Sequence, residues 1–306
     1  MSVQTLDNKL LIVKYLFSYF RTNFYKKTRG RIACDIFSML YQFLAFLRFY
    51  WSAVTKYQLH SPFVFELAHA VLEDRRWYYT FRDVEQLRER MLSGDEIIEV
   101  EDFGAGRTRS QKRRSLRQIV RQAGSSARQG QRLFRLAQWL APKTMIELGS
   151  SVGISTMYLA SAVRQARFLS LEGSPQTAEV ARANLSWLGL RNTEIRTGAF
   201  EQTLLPALQS LQSVDLVYLD GNHRLEPTLQ YFETCLPFAG THTVFVLDDI
   251  HWSPEMYTAW QRIRQHDRVT LSIDFFDFAL AFVNPDFRVK QHWNIVPAWW
   301  KIWKFY

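Results

Sequence analysis

The pattern of apolar and polar positions divides the chain at about Thr144. Beyond it, short apolar runs at 144–148, 167–171, 192–197, 214–219 and 243–247 read as buried strands. Stretches of helical periodicity at 154–165, 175–188, 200–211, 224–236 and 253–266 separate them. Such alternation predicts an α/β fold, a parallel sheet with helices on both faces. Val269–Ile273 and Phe278–Val283 have no helical stretch between them and read as a closing hairpin.

Before Thr144 the period is helical. Phe37, Leu40, Leu44, Leu47, Trp51 and Val54 recur at spacings of three and four. Ile36, Met39, Phe43, Phe46, Tyr50 and Ala53 repeat that pattern one position earlier. A helix over Asp35–Val54 therefore has an apolar face wider than a surface helix needs. The α/β domain, a partner chain or a membrane surface is expected to cover it, notably along Phe37, Leu44, Trp51 and Val54. Leu10–Phe24 is a further apolar run with a narrow polar stripe at Lys14, Ser18 and Arg21. A lysine interrupts it and no small-residue cleavage site follows, so it does not read as a secretory signal. It is also short for a membrane span.

In His60-Ser61-Pro62-Phe63, Ser61 is placed to cap a helix and Pro62 to occupy its first turn. Glu99–Gly106 reads as a loop, a basic segment follows, and Gln131–Leu140 reads as a helix. The tail carries Trp293, Trp299, Trp300 and Trp303 with Lys301 and Lys304. That composition suits a membrane interface, and equally a segment docked on the apolar N-terminal helices. The expected organisation is a helical extension (1–58), a helical and basic lid or linker (59–130), a catalytic domain (131–290) and an aromatic tail (291–306).

The chain has 306 residues, 47% of them hydrophobic and 22% charged, ample for a core. Cys34 and Cys235 form neither a disulfide framework nor a zinc pattern, which points to a reducing cytoplasm. The net charge is +9. Arg107, Arg109, Lys112, Arg113, Arg114, Arg117, Arg121, Arg128, Arg132, Arg135 and Lys143 follow one another with no acid between Phe103 and Ile146. Those eleven cations exceed the net charge, so basicity belongs to one segment. The segment reads as a solvated linker or lid, or as a surface for an acidic substrate, nucleic acid or lipid headgroups.

The chemistry gathers at predicted strand ends. Met145–Leu148, Gly149, Gly153 and a helix from Ile154 form a strand, a tight loop and a helix start. The N–H groups of a helix N-terminus face a ligand there, and glycine lets the backbone come close. The loop lacks the third glycine of the dinucleotide pattern and carries Glu147 beside it, which suits a cationic or hydroxylated ligand better than a phosphate. Glu172 ends the second strand, near the spacing at which an acid accepts ribose hydroxyls. Asp220 ends another strand and Asp248-Asp249 the next. Three converging carboxylates would repel and raise at least one pKa, which a hard cation relieves.

On Glu147-Leu148-Gly149-Ser150-Ser151-Val152-Gly153, Leu171-Glu172-Gly173 and Asp215–His223, the chain resembles the class I S-adenosylmethionine-dependent methyltransferases. With Val246–Trp252, it looks most like the bacterial small-molecule O-methyltransferases related to catechol O-methyltransferase. The resemblance covers roughly residues 130–285. It implies a Rossmann-like seven-stranded sheet with a reversed last strand. It implies S-adenosylmethionine held by Glu147, Gly149, Ser151, Gly153, Glu172, Gly198 and Asp220, with Gly198-Ala199-Phe200 flanking the adenine. It also implies a divalent cation such as Mg²⁺ on Asp220, Asp248 and Asp249, although such enzymes usually have Asp-Asn where this chain has Asp248-Asp249. The rival is a metal-free site with His223 or His251 as base, and a third possibility has these acids serving structure, one of them capping a helix. The expected activity is methyl transfer to an oxygen of a small-molecule acceptor, with Asp220, His223 and Asp249 as catalytic groups. The alternatives are a membrane-surface or nucleic-acid-associated protein on the same fold, or an RNA methyltransferase.

Overall fold

The computed structural model describes residues 32–301 except 103–109 and 124. Leu10–Phe24, Trp303 and Lys304 lie outside the described residues.

Helix α1 (Ile32–Ser52) comes first. Helix α2 (Pro62–Ala68) starts as expected, with the Ser61 side chain accepting from the Val64 amide. Helix α3 (Tyr79–Ser93) leads into strands β1 (Ile97–Asp102) and β2 (Ser110–Ser115). Helices α4 (Leu116–Ala123) and α5 (Ala127–Leu140) complete the N-terminal half. The alternating half then runs β3 (Thr144–Leu148), α6 (Ile154–Ala162), β4 (Arg167–Glu172), α7 (Pro175–Trp187), β5 (Thr193–Thr197), α8 (Phe200–Leu211), β6 (Val214–Leu219), α9 (Leu225–Cys235), β7 (Ala239–Asp248) and α10 (Pro254–Gln265). Strands β8 (Leu271–Asp274), β9 (Phe278–Phe282) and β10 (Gln291–Asn294) close the chain.

The main sheet has eight strands in the order β10-β8-β9-β7-β6-β3-β4-β5. Only β9 runs antiparallel to its neighbours. The eighth strand is β10, which pairs in parallel with β8. Both faces of the sheet are covered, so its strands are apolar at consecutive positions. Met145, Leu216, Val244 and Val246 pack with α2, α3 and α5–α7 on one face. Ile146, Val217, Phe245 and Leu247 pack with α8–α10 on the other. This period of two divides each strand between two cores.

Three expectations require correction. Glu99–Asp102 is not loop but part of β1, paired antiparallel with β2 so that Glu99 faces Arg113 and Val100 faces Lys112. Cross-strand opposite charges stabilise such a pair, and Ile98 is buried beneath it. The helix expected from Gln131 begins at Ala127, capped by Ser126, and so crosses the expected boundary at 130. The buried face of α1 is also not the one expected. Phe46, Phe49, Tyr50 and Ala53 pack against Phe276, Val296 and Trp300. Leu44 and Trp51 are 54% and 81% exposed. Both stripes are apolar, and the edge-on contact of Phe46 with Phe276, centroids 5.0 Å apart, selects between them.

The tail docks on that same face. Val54 bridges Ile295, and the Tyr50 hydroxyl donates to the Trp300 carbonyl at 2.5 Å. Lys301 Nζ donates to the Tyr50 carbonyl. Among the described residues no helix is long and apolar enough to cross a membrane.

Candidate active site

The loop after β3 is built by backbone bonds. The Gly149 amide donates to the Leu171 carbonyl at 2.9 Å, and the Asp220 amide to the Leu148 carbonyl at 3.0 Å. The loop is thereby pinned between the ends of β4 and β6. Gly149 has φ +99°, and a Cβ there would sit 2.5 Å from the Asp220 carbonyl oxygen. Gly153 is the N-cap of α6 with φ +87°, and a Cβ would meet Ala181 at 3.1 Å. Glycine is required at both for conformation and for space. Ser151, also at positive φ, directs its amide to Glu172 Oε2 at 2.7 Å.

Glu147 is not a ligand group facing the cleft. It is fully buried. Oε1 accepts from Ser155 Oγ, and Oε2 from Thr156 Oγ1 and Ser170 Oγ, each at 2.6 Å. Burial raises its pKa, and the three hydroxyl bonds oppose that rise. Its role is to brace β3, the start of α6 and β4 behind the loop, a correction to the expectation that it contacts cofactor. Glu172 stays half-buried at the tip of β4, its Oε1 accepting from the Ser174 amide at 2.9 Å. The Gly198 amide donates to the Glu172 carbonyl at 2.9 Å. Glu172, Ser151 and Gly198 thus meet at one edge of the cradle. The cradle fits a nucleoside carrying hydroxyls and a cationic tail: Ser150 Oγ is buried there without a partner, and Glu172 stands beside it.

Asp220, Asp248 and Asp249 do converge. Burial raises the Asp220 pKa well above the ordinary value, and the charges of Asp248 and Asp249 raise it further. Asp248 is raised as well, by burial first and then by Asp249. Asp220 and Asp248 are hydrogen-bonded to each other, so one proton is shared between two carboxyls. Tyr218 Oη donates to Asp220 Oδ2 at 3.3 Å, and Gln129 Nε2 donates to Asp248 Oδ1 at 2.5 Å. Asp249 has φ +51° and holds the next turn by accepting from the Trp252 amide. Among the described residues no three His, Cys, Asp or Glu are arranged to hold a metal ion. Tyr218 and Gln129 each occupy one oxygen, of Asp220 and of Asp248. As they stand, the three acids do not form the expected Mg²⁺ set, and no step is derived through a metal.

His223 Nε2 stands 3.8 Å from Asp220 Oδ1, partly exposed. His251 does not join this group. Its Nε2 lies 2.8 Å from Asp274 Oδ2, with both side chains buried. Sequence reasoning gives no site role to Gln129, Asp274 or Tyr218, the last a member of the Asp215–His223 motif. Gln129 sits in the basic segment and Tyr218 inside an apolar strand, where neither pattern marks it. Asp274 ends β8 as Asp220 and Asp248 end theirs, and that position was its one visible signal.

The strand order, the antiparallel β9 beside β7 and the glycine loop after β3 define the Rossmann-like methyltransferase fold. Residues 146–250 match the family described as "Methyltransferase domain". The chain is similar to a catechol O-methyltransferase of Niastella koreensis, 33% identical over 129 residues, 41% of this chain and 57% of that protein. It is also similar to a catechol O-methyltransferase of Mycobacterium tuberculosis, 33% identical over 132 residues, 41% of this chain and 56% of that one. The chain thus spans a little over half the length of these relatives. Among solved structures, cofactor-bound Rv0187 from MTB has a TM-score of 0.52 at 23% identity, covering 74% of this chain and 98% of that one. SAH-bound methyltransferase PaMTH1 of Podospora anserina has a TM-score of 0.50 at 15% identity, covering 73% and 96%. These two likenesses are of fold.

Proposed function

We propose that the chain is an S-adenosylmethionine-dependent methyltransferase that methylates an oxygen of a small-molecule acceptor. The observation that carries this reading is the cradle after β3, where Gly149, Ser151, Gly153, Glu172 and Gly198 lie at one edge of the sheet. The matched domain family and the two relatives named as catechol O-methyltransferases support it. When bound, S-adenosylmethionine would supply a methyl group on a positively charged sulfur. Gly149 and Gly153 keep the backbone close enough to line its site, Glu172 accepts its ribose hydroxyls, and Gly198-Ala199-Phe200 flank its adenine. Asp220 orients His223, which accepts the proton of the acceptor, and Asp249 sets the turn beside them. Holding the acceptor in line, rather than supplying a nucleophile, is the main task of the protein.

A nucleic-acid surface is the less favoured reading: Arg113, Arg117, Arg121, Arg128 and Lys143 are exposed, but part of the basic segment is tied to the fold itself. Arg117 Nε donates to the Leu92 carbonyl at 2.6 Å and Arg135 to the Arg76 carbonyl at 3.1 Å. Arg132 pairs with Asp277 in the interior. A cytoplasmic setting, with peripheral membrane contact through the exposed stripe of α1, belongs to the same reading. Two experiments test it. Titration calorimetry should show S-adenosylhomocysteine binding. Labelled S-adenosylmethionine incubated with fractionated cell extract should label the small-molecule fraction. Absence of product binding, or label confined to RNA, would overturn it.

A further inference from the structure

Helix α1 keeps one apolar face in contact with solvent. Leu40, Leu44, Leu47 and Trp51 are 53%, 54%, 38% and 81% exposed. Spacings of four, three and four place them in one stripe along the helix. Phe46, Phe49, Tyr50 and Ala53, which carry the packing, lie on a different face. Single apolar side chains at a surface are ordinary, but a stripe running for three turns marks an interaction site. The helix cannot roll to hide it. The Tyr50 hydroxyl is held by the Trp300 carbonyl, and Gln42 Nε2 donates to the Trp252 carbonyl at 3.3 Å. Nor is α1 apolar enough to cross a bilayer. Its stripe therefore runs along the outside of the molecule.

The charges beside the stripe select its partner. Arg48 follows Leu47 and is exposed, and the one acid of α1 is Asp35, near its start. Leu44, Arg48 and Ser52 border a cavity of about 350 Å³ on the flank of the helix, which gives an anionic group room beside the guanidinium. The chain ahead of α1 is a second basic stretch, masked in the net charge by acids elsewhere. There Lys9, Lys14, Arg21, Lys26, Lys27, Arg29 and Arg31 stand against Asp7. Two copies meeting stripe to stripe across a two-fold axis would bring these like charges together. A layer of anionic headgroups over an apolar interior answers both features, taking the cations in one zone and the stripe in the next. Trp51 at the end of the stripe suits the boundary between those zones, since its ring is apolar and its N–H can stay wet.

We propose that the exposed stripe of α1 seats the protein on an anionic phospholipid surface. Leu40, Leu44, Leu47 and Trp51 enter the outermost acyl layer, and Arg48 meets headgroup phosphate. The proposal gives a lipid class and named residues to the peripheral contact in the reading above, on which it rests. It does not depend on whether a methyl group is transferred.

Vesicle flotation of the full chain tests it, with phosphatidylcholine alone and with phosphatidylcholine containing about one-quarter phosphatidylglycerol. The mixed vesicles should carry the chain at low salt, and the neutral ones should bind it at least about 10-fold less. Raising NaCl to about 0.5 M should weaken binding to the mixed vesicles about 5-fold or more. Trp51→Glu and Leu44→Glu, both at exposed positions, should each cut binding about 10-fold while melting as wild type does. Arg48→Ala should cost about 5-fold on mixed vesicles and nothing on neutral ones. Trp187→Glu, at an exposed position ending α7, and Arg121→Ala in the basic segment should leave binding unchanged. The proposal is overturned if neither vesicle binds, if both bind alike, or if Trp51→Glu binds normally. Loss in Arg121→Ala but not in Arg48→Ala would also overturn it, by moving the contact to the basic segment. So would a dimer in sedimentation equilibrium that Trp51→Glu dissolves and that does not float, because a second copy would then cover the stripe. Calorimetry with S-adenosylhomocysteine separates this from the methyltransferase reading, and Trp51→Glu should bind it as wild type does. Flotation without product binding would sustain the lipid contact and sink the methyltransferase reading; product binding without flotation would do the reverse.

Discussion

Replacing Asp248 by Asn should make the protein more stable at high pH and flatten its dependence on pH. In the fold Asp248 titrates near 7 instead of 3.8, because it is 5% exposed and faces Asp249. A carboxyl whose folded pKa is raised adds stability that is fully present below its unfolded value. That stability is lost as pH rises through the folded value. The window here is therefore from about pH 4 to above pH 7. The move from 3.8 to about 7 is worth about 4 kcal/mol at most. Sharing one proton with Asp220 divides that sum between two residues, so roughly half is expected from Asp248 alone. About two of the roughly three pH units of that window lie above pH 5, so at about 2 °C per kcal/mol for a chain of this size wild type should melt roughly 3 °C lower at pH 8.5 than at pH 5 through this residue. Asparagine keeps an oxygen that can accept from Gln129 and carries no charge, so the variant should lack that part of the fall. Differential scanning calorimetry of both proteins across pH 5–9 reads the difference directly. Parallel curves would show that the carboxyl is not held neutral by its surroundings, and the shared-proton description would be wrong.

Gly149→Ala should abolish S-adenosylhomocysteine binding by calorimetry, since the methyl group would meet the Asp220 carbonyl at a positive φ. Gly153→Val should do likewise through Ala181, and normal affinity in either variant would refute the cradle. Glu147→Ala should destabilise by roughly 3 kcal/mol in urea melts, because three buried hydroxyls lose their acceptor; an unchanged midpoint would contradict the brace. Phe46→Ala should cost about 3–5 kcal/mol while Trp51→Ala costs under about 0.5 kcal/mol, which denaturant midpoints will rank. Millimolar Mg²⁺ should leave the melting temperature unchanged in the absence of other ligands, and a clear rise would show that Asp220 and Asp248 exchange their proton for a cation.

The alternating half was legible almost to the residue because burial on both faces writes long apolar runs bounded by glycine and acid. Gly149, Glu172, Asp220 and Asp248 were found by position alone, at the ends of such runs. What the sequence did not disclose was where each acid spends its oxygens. Glu147 meets Ser155, Thr156 and Ser170, and only the pairing of β3 with β4 and the turn into α6 brings those hydroxyls together. The His251–Asp274 contact likewise depends on β9 returning between β7 and β8. For α1, two equally apolar stripes left periodicity with nothing to choose by, and the choice fell to aromatic residues more than 200 positions away. The hairpin of β1 and β2 was hidden because its charges outnumber its apolar positions, so that its stability comes from pairing across strands.

The clasp between α1 and the tail has a consequence for how the chain is made. Tyr50 and the Trp300 carbonyl are 250 residues apart in sequence. At ~5–20 residues per second, the ribosome takes on the order of 10–50 s to deliver the second after the first. Throughout that interval Phe46, Phe49, Tyr50 and Ala53 have no Phe276, Val296 or Trp300 to rest on. Closure is thus deferred until Trp300 has been made, and the nascent helix is a natural client for chaperones that hold apolar segments. A ribosome that stops short of Val296 would release a chain whose catalytic sheet is complete and whose first helix is still unsheltered.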